Sequence, residues 1–470
     1  MIGDGDRKRE SEIMKSILIF TSVFLCSSCA LIPTPEHQVE LPEQYRQSVD
    51  GTELAGNWWT AFGDEQLNAL MESTLAGNLS LEQAAARLRQ AEASAVKSGA
   101  DRYPSLDATG AGKTTHSGSR DAATETTDDF SLGLSASYEL DLWGRVASTR
   151  QAALSSLDAS RFDLQTAAMT IAAETVDTYF EWQLLHARLE LLNQQLEDRR
   201  KMLSVIEARF KTSSANALDV LNQREKVAAA EAALPSVRNS LQAAGNRLAI
   251  LTGRPPQTDL GLEVKSLPNL PPRPAAGLPA DLLAMRPDLQ SAWADLEQAD
   301  WNVRAAKAAR LPTLTLTGSL STSDENVNNL FDNWIGNLVA GLAVPLIDGG
   351  SLRAEVRRTQ AVSDERVAAY RETVFEALGE VEDALSAEQN RQDELDALVR
   401  QSTFSKAVAD ETYRRYTRGL ETYYDALTAR VSFQSQQVSE LIARYNLLAD
   451  RVQLCRVLGG NWDAFIEGKE

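Results

Sequence analysis

The stretch FSLGLSASYEL, residues Phe130–Leu140, alternates between apolar residues and small or polar ones along its whole length. A period of two places the apolar side chains on one face of a β-strand and the polar side chains on the other. Leu106–Lys113, Thr313–Leu320 and Leu338–Leu346 alternate in the same way. The sequence therefore predicts four strands of about ten residues, each apolar on one face only.

Strands of this length with one apolar and one polar face are typical of a transmembrane β-barrel. Four strands cannot close such a barrel, because the smallest barrels have about eight strands and lipid does not tolerate an unpaired edge. If these strands cross a membrane, the protein is therefore a homo-oligomer. The alternative is a sheet of two hairpins that lies on a helical core. The polar stretches His116–Asp129 and Ser323–Trp334 are predicted as the loops of the two hairpins.

The chain contains an internal tandem duplication. Asn78–Ala84 aligns with Arg286–Ala292, and the same spacing pairs Pro104–Leu106 with Pro312–Leu314. The duplication predicts one order of elements in both halves, namely a helix, two strands, a long helix and a further helix.

The predicted boundaries follow from this repeat. The first structural repeat is residues 64–254 and the second is residues 280–460. Residues 255–279 hold seven of the fifteen prolines of the chain, which predicts an extended linker between the repeats. Residues 461–470 form a C-terminal tail.

Long helices are predicted in both repeats. Gln151–Lys211 contains no Gly or Pro, which indicates a continuous helix of roughly 90 Å at about 1.5 Å per residue. A second helix at Asn216–Leu251 includes Pro235, which predicts a kink or a break. The second repeat is predicted to contain the same pair, at Leu352–Arg418 and Glu421–Leu458.

These helices have small, Ala-rich faces, which favours close packing in a coiled-coil-like bundle. Asp64–Asp101 is an amphipathic helix or helix pair that begins with Asp64 as its N-cap. The predicted fold class is therefore mainly α with a small β part, built from a tandem duplication.

The N-terminus carries a targeting signal, predicted as residues 1–28. A charged start at Met14-Lys15 is followed by the apolar run Ser16–Leu25, which is too short to span a membrane. Met14 is an alternative start of the protein. No other run in the sequence is long and apolar enough for a transmembrane helix.

Ser27-Ser28-Cys29 resembles the lipobox of bacterial lipoproteins, with Cys29 as the lipid attachment site. Cys26 departs from that pattern, which usually has Leu three residues before the acylated cysteine. Residues 29–63 are then a lipid-linked extended segment. An ordinary cleaved secretory signal and an uncleaved anchor are the alternatives.

Charge and motifs exclude several classes of function. The chain has 47 Lys and Arg against 66 Asp and Glu, a formal charge of −19, which argues against nucleic-acid binding. The sequence contains no GxxxxGK[ST] loop, HExxH motif or nucleophile elbow, and its three His are scattered. We therefore predict no enzyme activity, no cofactor and no metal site. A periplasmic coiled-coil scaffold without a channel is the alternative function.

The chain resembles the TolC-like outer membrane efflux proteins, the trimeric channel lipoproteins of tripartite efflux systems. The motifs that carry the resemblance are spread over some 400 residues. They are Trp58–Asp64, Asn78–Leu81, Tyr138–Arg145, Asn246–Gly253, Arg286–Leu289, Pro345–Gly350, Glu380–Leu385 and Leu458–Trp462.

The resemblance implies a homotrimer in the outer membrane, in which three sets of four strands form one barrel and twelve helices form a periplasmic tunnel. It implies a periplasmic adaptor protein and an inner-membrane pump as partners. The chain would then be the passive exit duct for small molecules, without chemistry of its own. The resemblance does not identify the cargo, which could be a drug, a metal or another toxic compound.

In this family the periplasmic end of the tunnel is closed by an acidic ring and a polar network. The matching residues are Asp425 for the ring carboxylate, with Tyr416 and Arg415 for the network. Arg209 and Asp219 are the counterparts of Arg415 and Asp425 in the first repeat. The place of a second ring carboxylate is held by Thr428. A solvated helix residue is the alternative role of Asp425.

Overall fold

The computed structural model describes residues 39–47, 56–119, 122–460, 462 and 465. The predicted signal segment and Cys29 lie outside the described residues. None of the helices in the described part of the chain is long and apolar enough to cross a membrane.

The chain divides into two compact units. The first unit contains Glu92–Ser156 and Asp295–Ala368, and the second contains Glu40–Ala91, Leu157–Ala294 and Ala369–Glu470. Each unit therefore draws on both halves of the sequence.

The order of elements repeats, as the duplication predicts. The helices and strands are α1 (Glu65–Gly77), α2 (Leu79–Gly99), β1 (Ser105–Ser119), β2 (Ala122–Leu140), α3 (Arg145–Lys211), α4 (Ala217–Leu251), α5 (Leu282–Met285), α6 (Pro287–Ala308), β3 (Thr313–Asp324), β4 (Ile335–Ala343), α7 (Ser351–Thr417) and α8 (Tyr423–Val457). The prediction of a mainly helical fold with four strands is confirmed.

The four strands form one antiparallel sheet in the order β1-β2-β3-β4, which lies in the first unit. The register sets Leu134 between Ala108 of β1 and Leu320 of β3, so the apolar side chains of neighbouring strands share one face. Ser135 lies between Asp107 and Ser319 on the other face. The predicted division into an apolar and a polar face is therefore confirmed.

The strand limits differ from the prediction in two places. The stretch His116–Asp129 was expected to be a loop, but β1 and β2 continue through most of it to Ser119 and from Ala122. The stretch includes three Thr, a residue type that is enriched in strands, and the ladder continues after the apolar alternation has ended. At the other end of the sheet, β4 stops at Ala343, so the predicted strand to Leu346 is too long.

The structure also tests the break predicted at Pro235. Helix α4 runs from Ala217 to Leu251 with Pro235 inside it, so the predicted break is wrong, while the kink stays a prediction. Asn216 begins this helix with a capping box, because its side chain accepts a hydrogen bond from the amide of Asp219 and the Asp219 carboxylate accepts one from the amide of Asn216.

The two repeats close their ends in the same way in the second unit. The Asn78 side chain donates to the Leu251 carbonyl at the end of α4, at 2.9 Å. At the corresponding place, Arg286 donates to the Val457 carbonyl at the end of α8, at 3.2 Å. Each bond satisfies one of the carbonyls that a helix end leaves without an intrahelical partner.

The linker is held against the first repeat by polar contacts. The Lys265 ammonium lies 2.8 Å from the Asp64 carboxylate, which also accepts hydrogen bonds from the Tyr179 hydroxyl and from the amide of Gln66. Gln183 donates to the carbonyl of Glu263. Asp64 therefore caps α1, as the sequence predicts, and also binds the linker.

These contacts predict a pH-dependent contribution to stability. Burial alone would raise the pKa of Asp64, but hydrogen bonds from Lys265 and Tyr179 outweigh it and lower the pKa below its ordinary value of 3.8. The stabilisation is therefore complete above pH 3.8 and is lost as the pH falls through the lower pKa of the folded state. We expect the difference in melting temperature between the wild type and Asp64→Asn to be largest at neutral pH and to shrink in acid.

Melting curves from pH 7 to pH 3 measure this difference, with Glu65→Gln as the control because Glu65 is exposed and adjacent. A constant difference between the wild type and Asp64→Asn over this range would contradict the assignment.

Candidate functional site

Two turns of the same construction join the long helices of each repeat. One lies between α3 and α4, and the other lies between α7 and α8. Each contains a residue with left-handed backbone, Ser213 in the first turn and Gly419 in the second. The next amide donates to the carbonyl of Arg209 in one turn, at 2.8 Å, and of Arg415 in the other, at 3.0 Å.

The two turns carry a buried cluster in the second unit, which we name the tip cluster. Its buried members are Ile206, Val220, Tyr416, Tyr423, Ala426 and Leu427. They come from all four long helices, so the end of one helix pair packs against the end of the other.

Tyr416 contacts both an arginine and a second tyrosine at the tip cluster. Its side chain is buried, and the Arg209 guanidinium lies over its ring at 4.4 Å from the centroid. The Tyr423 ring is 6.0 Å away. A guanidinium over an aromatic face is attractive by about 0.5–2 kcal/mol. The structure therefore joins Tyr416 and Arg209, which the sequence assigns to equivalent turns of the two repeats.

A hydrogen bond between two buried polar groups connects the repeats within the cluster. The Tyr423 hydroxyl donates to the Gln223 side-chain oxygen, and the Gln223 amide donates to the Arg199 carbonyl at 2.7 Å. Burial raises the pKa of Tyr423, and the negative charge of Asp219 adds to the effect. Tyr423 therefore remains a neutral hydrogen-bond donor in the physiological range.

The two candidate carboxylates both lie in the first turn of a helix. Asp425 is exposed near the start of α8, where its amide donates to the Thr422 hydroxyl oxygen and its carboxylate accepts the hydroxyl hydrogen. Asp219 occupies the same place in α4, opposite Asn216. The Asp219 carboxylate accepts a hydrogen bond from a free amide, and a carboxylate in the first turn of a helix also interacts favourably with the helix dipole. Both residues therefore have a local structural role.

Arg415 is exposed and forms an ion pair with Glu421, at 3.2 Å across the second turn. The structure thus places Arg415 on the outside of the cluster and Arg209 against Tyr416, so the two equivalent arginines make different contacts. The residues that sequence reasoning missed are polar and buried: Gln223, Gln434 and Gln195. A Gln on the face of an Ala-rich helix that is predicted to pack against another helix is the pattern that would have identified them.

A cavity of about 270 Å³ lies beside the tip cluster, between α3, α7 and α8. Its wall includes the Arg430–Asp198 ion pair and the exposed ring of Tyr413. Across the part of the chain that the structure describes, His, Cys, Asp and Glu form no group that could hold a metal ion. The site offers buried packing and charged side chains.

The sequence profile of outer membrane efflux proteins matches residues 70–254 and 278–460, which include all four strands and all four long helices. The chain belongs to the outer membrane efflux protein family. This efflux protein is 35% identical over 461 residues to the pyoverdine export outer membrane protein OpmQ of Pseudomonas putida. The alignment covers 94% of this chain and 96% of OpmQ.

Two further relatives share the fold of the efflux protein. The cation efflux system protein CusC of Escherichia coli O6:H1 is 27% identical, with 95% of this chain and 98% of CusC covered. The solved structure of the outer-membrane channel OprN superposes with a TM-score of 0.85 at 27% identity, covering 92% of this chain and 99% of OprN.

These likenesses establish the class of function. The protein is an outer membrane efflux channel, the exit duct of an efflux system of the tripartite kind. The relatives are channels and not enzymes. The alternative of a periplasmic scaffold without a channel is not favoured, because the likeness covers the strands as well as the helices.

Proposed function

We propose that three copies of this chain form one gated duct, with the four-stranded sheets combined into a single twelve-stranded barrel. The observation that carries the proposal is the sheet itself. Its order leaves β1 and β4 as edges, and its apolar face includes Leu106, Leu134, Leu320 and Leu338, all exposed in the single chain. Lipid covers such a face only when each edge strand is paired.

The tip cluster is the proposed gate at the periplasmic end. Two of the contacts between its helix pairs are polar. The Arg209 guanidinium lies over the Tyr416 ring, and Tyr423 donates a hydrogen bond to Gln223. Such contacts hold the helix pairs together less firmly than a continuous apolar core would. Asp425 is exposed beside them, and three such carboxylates around a threefold axis would repel one another and favour cations. Tyr416, Arg209, Arg415 and Asp219 hold the turns that carry this ring.

The same proposal includes the partners. A periplasmic adaptor and an inner-membrane pump deliver the cargo, and Cys29 attaches a lipid to the N-terminus. OpmQ is named for pyoverdine export and CusC for cation efflux, so relatives with this fold serve unlike cargoes. We infer that the pump and adaptor select the cargo, and that this chain passes small molecules passively through residues 64–254 and 280–460.

The gate gives a testable expectation. Full-length protein purified from the outer-membrane fraction in detergent is expected to have the native mass of a trimer and a small single-channel conductance. Asp425→Ala removes the ring charge and the carboxylate that accepts the Thr422 hydroxyl at the start of α8, so we expect the open probability and the conductance to rise. Single-channel recording in planar bilayers measures both quantities.

Asp425→Asn separates the charge of this residue from its hydrogen bond, because the Asn side-chain oxygen is neutral and still accepts a hydrogen bond from the Thr422 hydroxyl. Asp410→Ala is the matched control, since Asp410 is an exposed carboxylate at the cavity beside the cluster. A monomer that inserts into no membrane would contradict the duct. A trimer whose conductance is unchanged in both Asp425 variants would contradict the gate alone.

A further inference from the structure

The polar face of the sheet is lined mostly by hydroxyl groups. Between β1 and β4 this face presents the side chains of Ser131, Ser135, Ser137, Thr315, Thr317, Ser319 and Ser321. Hydroxyl groups bind water and uncharged polar solutes and carry no net charge. The few charged side chains on this face therefore determine its electrostatic character.

Most of these charged side chains have a partner of opposite sign. Glu139 pairs with Arg145 through two hydrogen bonds, of 2.7 and 3.0 Å. Lys113 is directly opposite Asp129 in the ladder between β1 and β2. In each case a positive and a negative side chain are neighbours, so their fields partly cancel at a distance.

Asp107 differs from these residues. It is exposed on β1, and its neighbours across the sheet at the same level are Ser135, Ser319 and Asn337, none of which is charged. Among the side chains that the structure describes on the polar face, Asp107 is the one without an opposite charge beside it or across the ladder.

The edge strand β4 does not supply a counter-charge either. In a closed ring of copies, β1 of one copy has β4 of the next copy as its neighbour. The polar-face positions of β4 are Ile335, Asn337, Val339, Gly341 and Ala343. None of these residues carries a charge, so Asp107 stays unneutralised on both sides.

We propose that Asp107 is the cation-selecting residue inside the barrel, separate from the carboxylate at the gate. The inference rests on the proposed trimeric duct, in which the polar face lines the water-filled lumen and three Asp107 carboxylates lie at one level. Rings of carboxylates concentrate cations and repel anions in pores. The cargo favoured at this level is therefore cationic or neutral, and a polyanion meets a barrier.

The test is the reversal potential of single channels in a KCl gradient at low ionic strength, where screening is weak. All variants carry Asp425→Asn, so that the gate charge does not mask the charge in the barrel. Asp107→Asn is expected to shift the reversal potential toward that of chloride, and Asp107→Lys to shift it further in the same direction. Asp128→Asn is the matched control, because Asp128 lies on the other face of β2 beside Thr114 and its loss removes the same charge.

Cysteine labelling tests the location directly. Asp107→Cys is expected to react with a water-soluble, membrane-impermeant cationic thiol reagent, and the reaction should shift the reversal potential toward chloride. Ala108→Cys, one residue along on the apolar face, is expected to remain unlabelled while the protein is in the membrane. The native Cys455 is buried and provides a low background.

The outcomes separate the inference from the proposal on which it rests. A conducting trimer with the same reversal potential in Asp107→Asn, Asp107→Lys and the control would overturn the role of Asp107 and leave the duct intact. Labelling of Ala108→Cys in place of Asp107→Cys would overturn the assignment of the faces. A protein that forms no pore would overturn the trimeric duct together with this inference.

Discussion

Gly253→Ala is expected to destabilise the second unit strongly, because the contact that its Cβ would make is the shortest among the glycines that the structure describes. Gly253 has φ of +72°, and a Cβ built there would lie 2.0 Å from the carbonyl oxygen of Gly77. The left-handed conformation costs a residue with a side chain about 1–2 kcal/mol. Displacement of the Gly77 backbone adds about 1–3 kcal/mol, as overpacking does in protein cores.

The duplication supplies a second instance of this contact. Gly459, at the end of α8, has φ of +84°, and its Cβ would lie 2.5 Å from the carbonyl oxygen of Met285. We therefore expect Gly459→Ala to be destabilising for the same reason, and less so because the contact is longer. Gly253 and Gly459 occupy equivalent places in the two repeats, and each lies against a backbone carbonyl. Both repeats therefore need a residue without a side chain at this place.

Gly144→Ala is the matched control, because Gly144 also has φ of +72° and nothing lies within 4 Å of its Cβ position. The difference between Gly253→Ala and Gly144→Ala therefore isolates the contact with Gly77 from the strain of the backbone. Thermal unfolding followed by circular dichroism in detergent measures it. Equal melting temperatures of the two variants would show that the backbone moves apart without cost.

Periodicity predicted the regular elements of this protein well. The absence of Gly and Pro predicted a helix over Gln151–Lys211, and the structure has α3 over Arg145–Lys211, because a long helix needs only an uninterrupted ladder and a face to bury. Alternation predicted which face of Phe130–Leu140 is apolar. Both patterns repeat along the chain, so many residues contribute to each prediction.

Single positions were harder to predict from the sequence. Pro235 predicts a kink or a break in an isolated helix, but α4 continues through it, since packing in the second unit outweighs the loss of one hydrogen bond. The Thr-rich stretch after Lys113 has no apolar period, yet the ladder between β1 and β2 continues through it. The hydrogen bonds that a strand makes with its neighbour cannot be predicted from the sequence of that strand alone.

The tip cluster shows the same limit for the site. The family resemblance identified Tyr416 and Asp425 by alignment, but no local pattern shows that Arg209 lies over Tyr416 or that Tyr423 bonds to Gln223. These contacts join residues that are about two hundred positions apart in the sequence. They depend on how the helix pairs of the two repeats meet, which the sequence specifies only through the complete fold.

Glu388→Gln is expected to be the second strongly destabilising substitution, because it removes the negative charge from a buried group of three ions. The Glu388 carboxylate lies between Arg451, at 3.2 Å from its Nε, and Arg273, at 3.3 Å from its Nε. The side chains of Glu388 and Arg451 are only 6% and 3% exposed. Loss of one partner leaves buried positive charge without compensation, which costs about 3–5 kcal/mol.

The control uses an ion pair that water surrounds. Glu355 and Arg358 form a pair at 2.7 Å on the surface of α7, and both side chains are exposed. We expect Glu355→Gln to change the melting temperature far less than Glu388→Gln, because solvent already screens that pair. A comparable change in the two variants would show that water reaches Glu388.

A double-mutant cycle tests whether the buried charges act as one group. Arg451→Gln removes one of the two cations that Glu388 neutralises, so the variant with both substitutions is expected to be more stable than the sum of the single losses predicts. Additive losses would contradict the coupling.

Arg451 also donates to the carbonyls of Pro271 and Pro272, and Arg273 belongs to the same stretch. The group therefore fixes the linker to α7 and α8, and its loss should first release residues 271–273, which limited proteolysis and hydrogen exchange of that segment can detect.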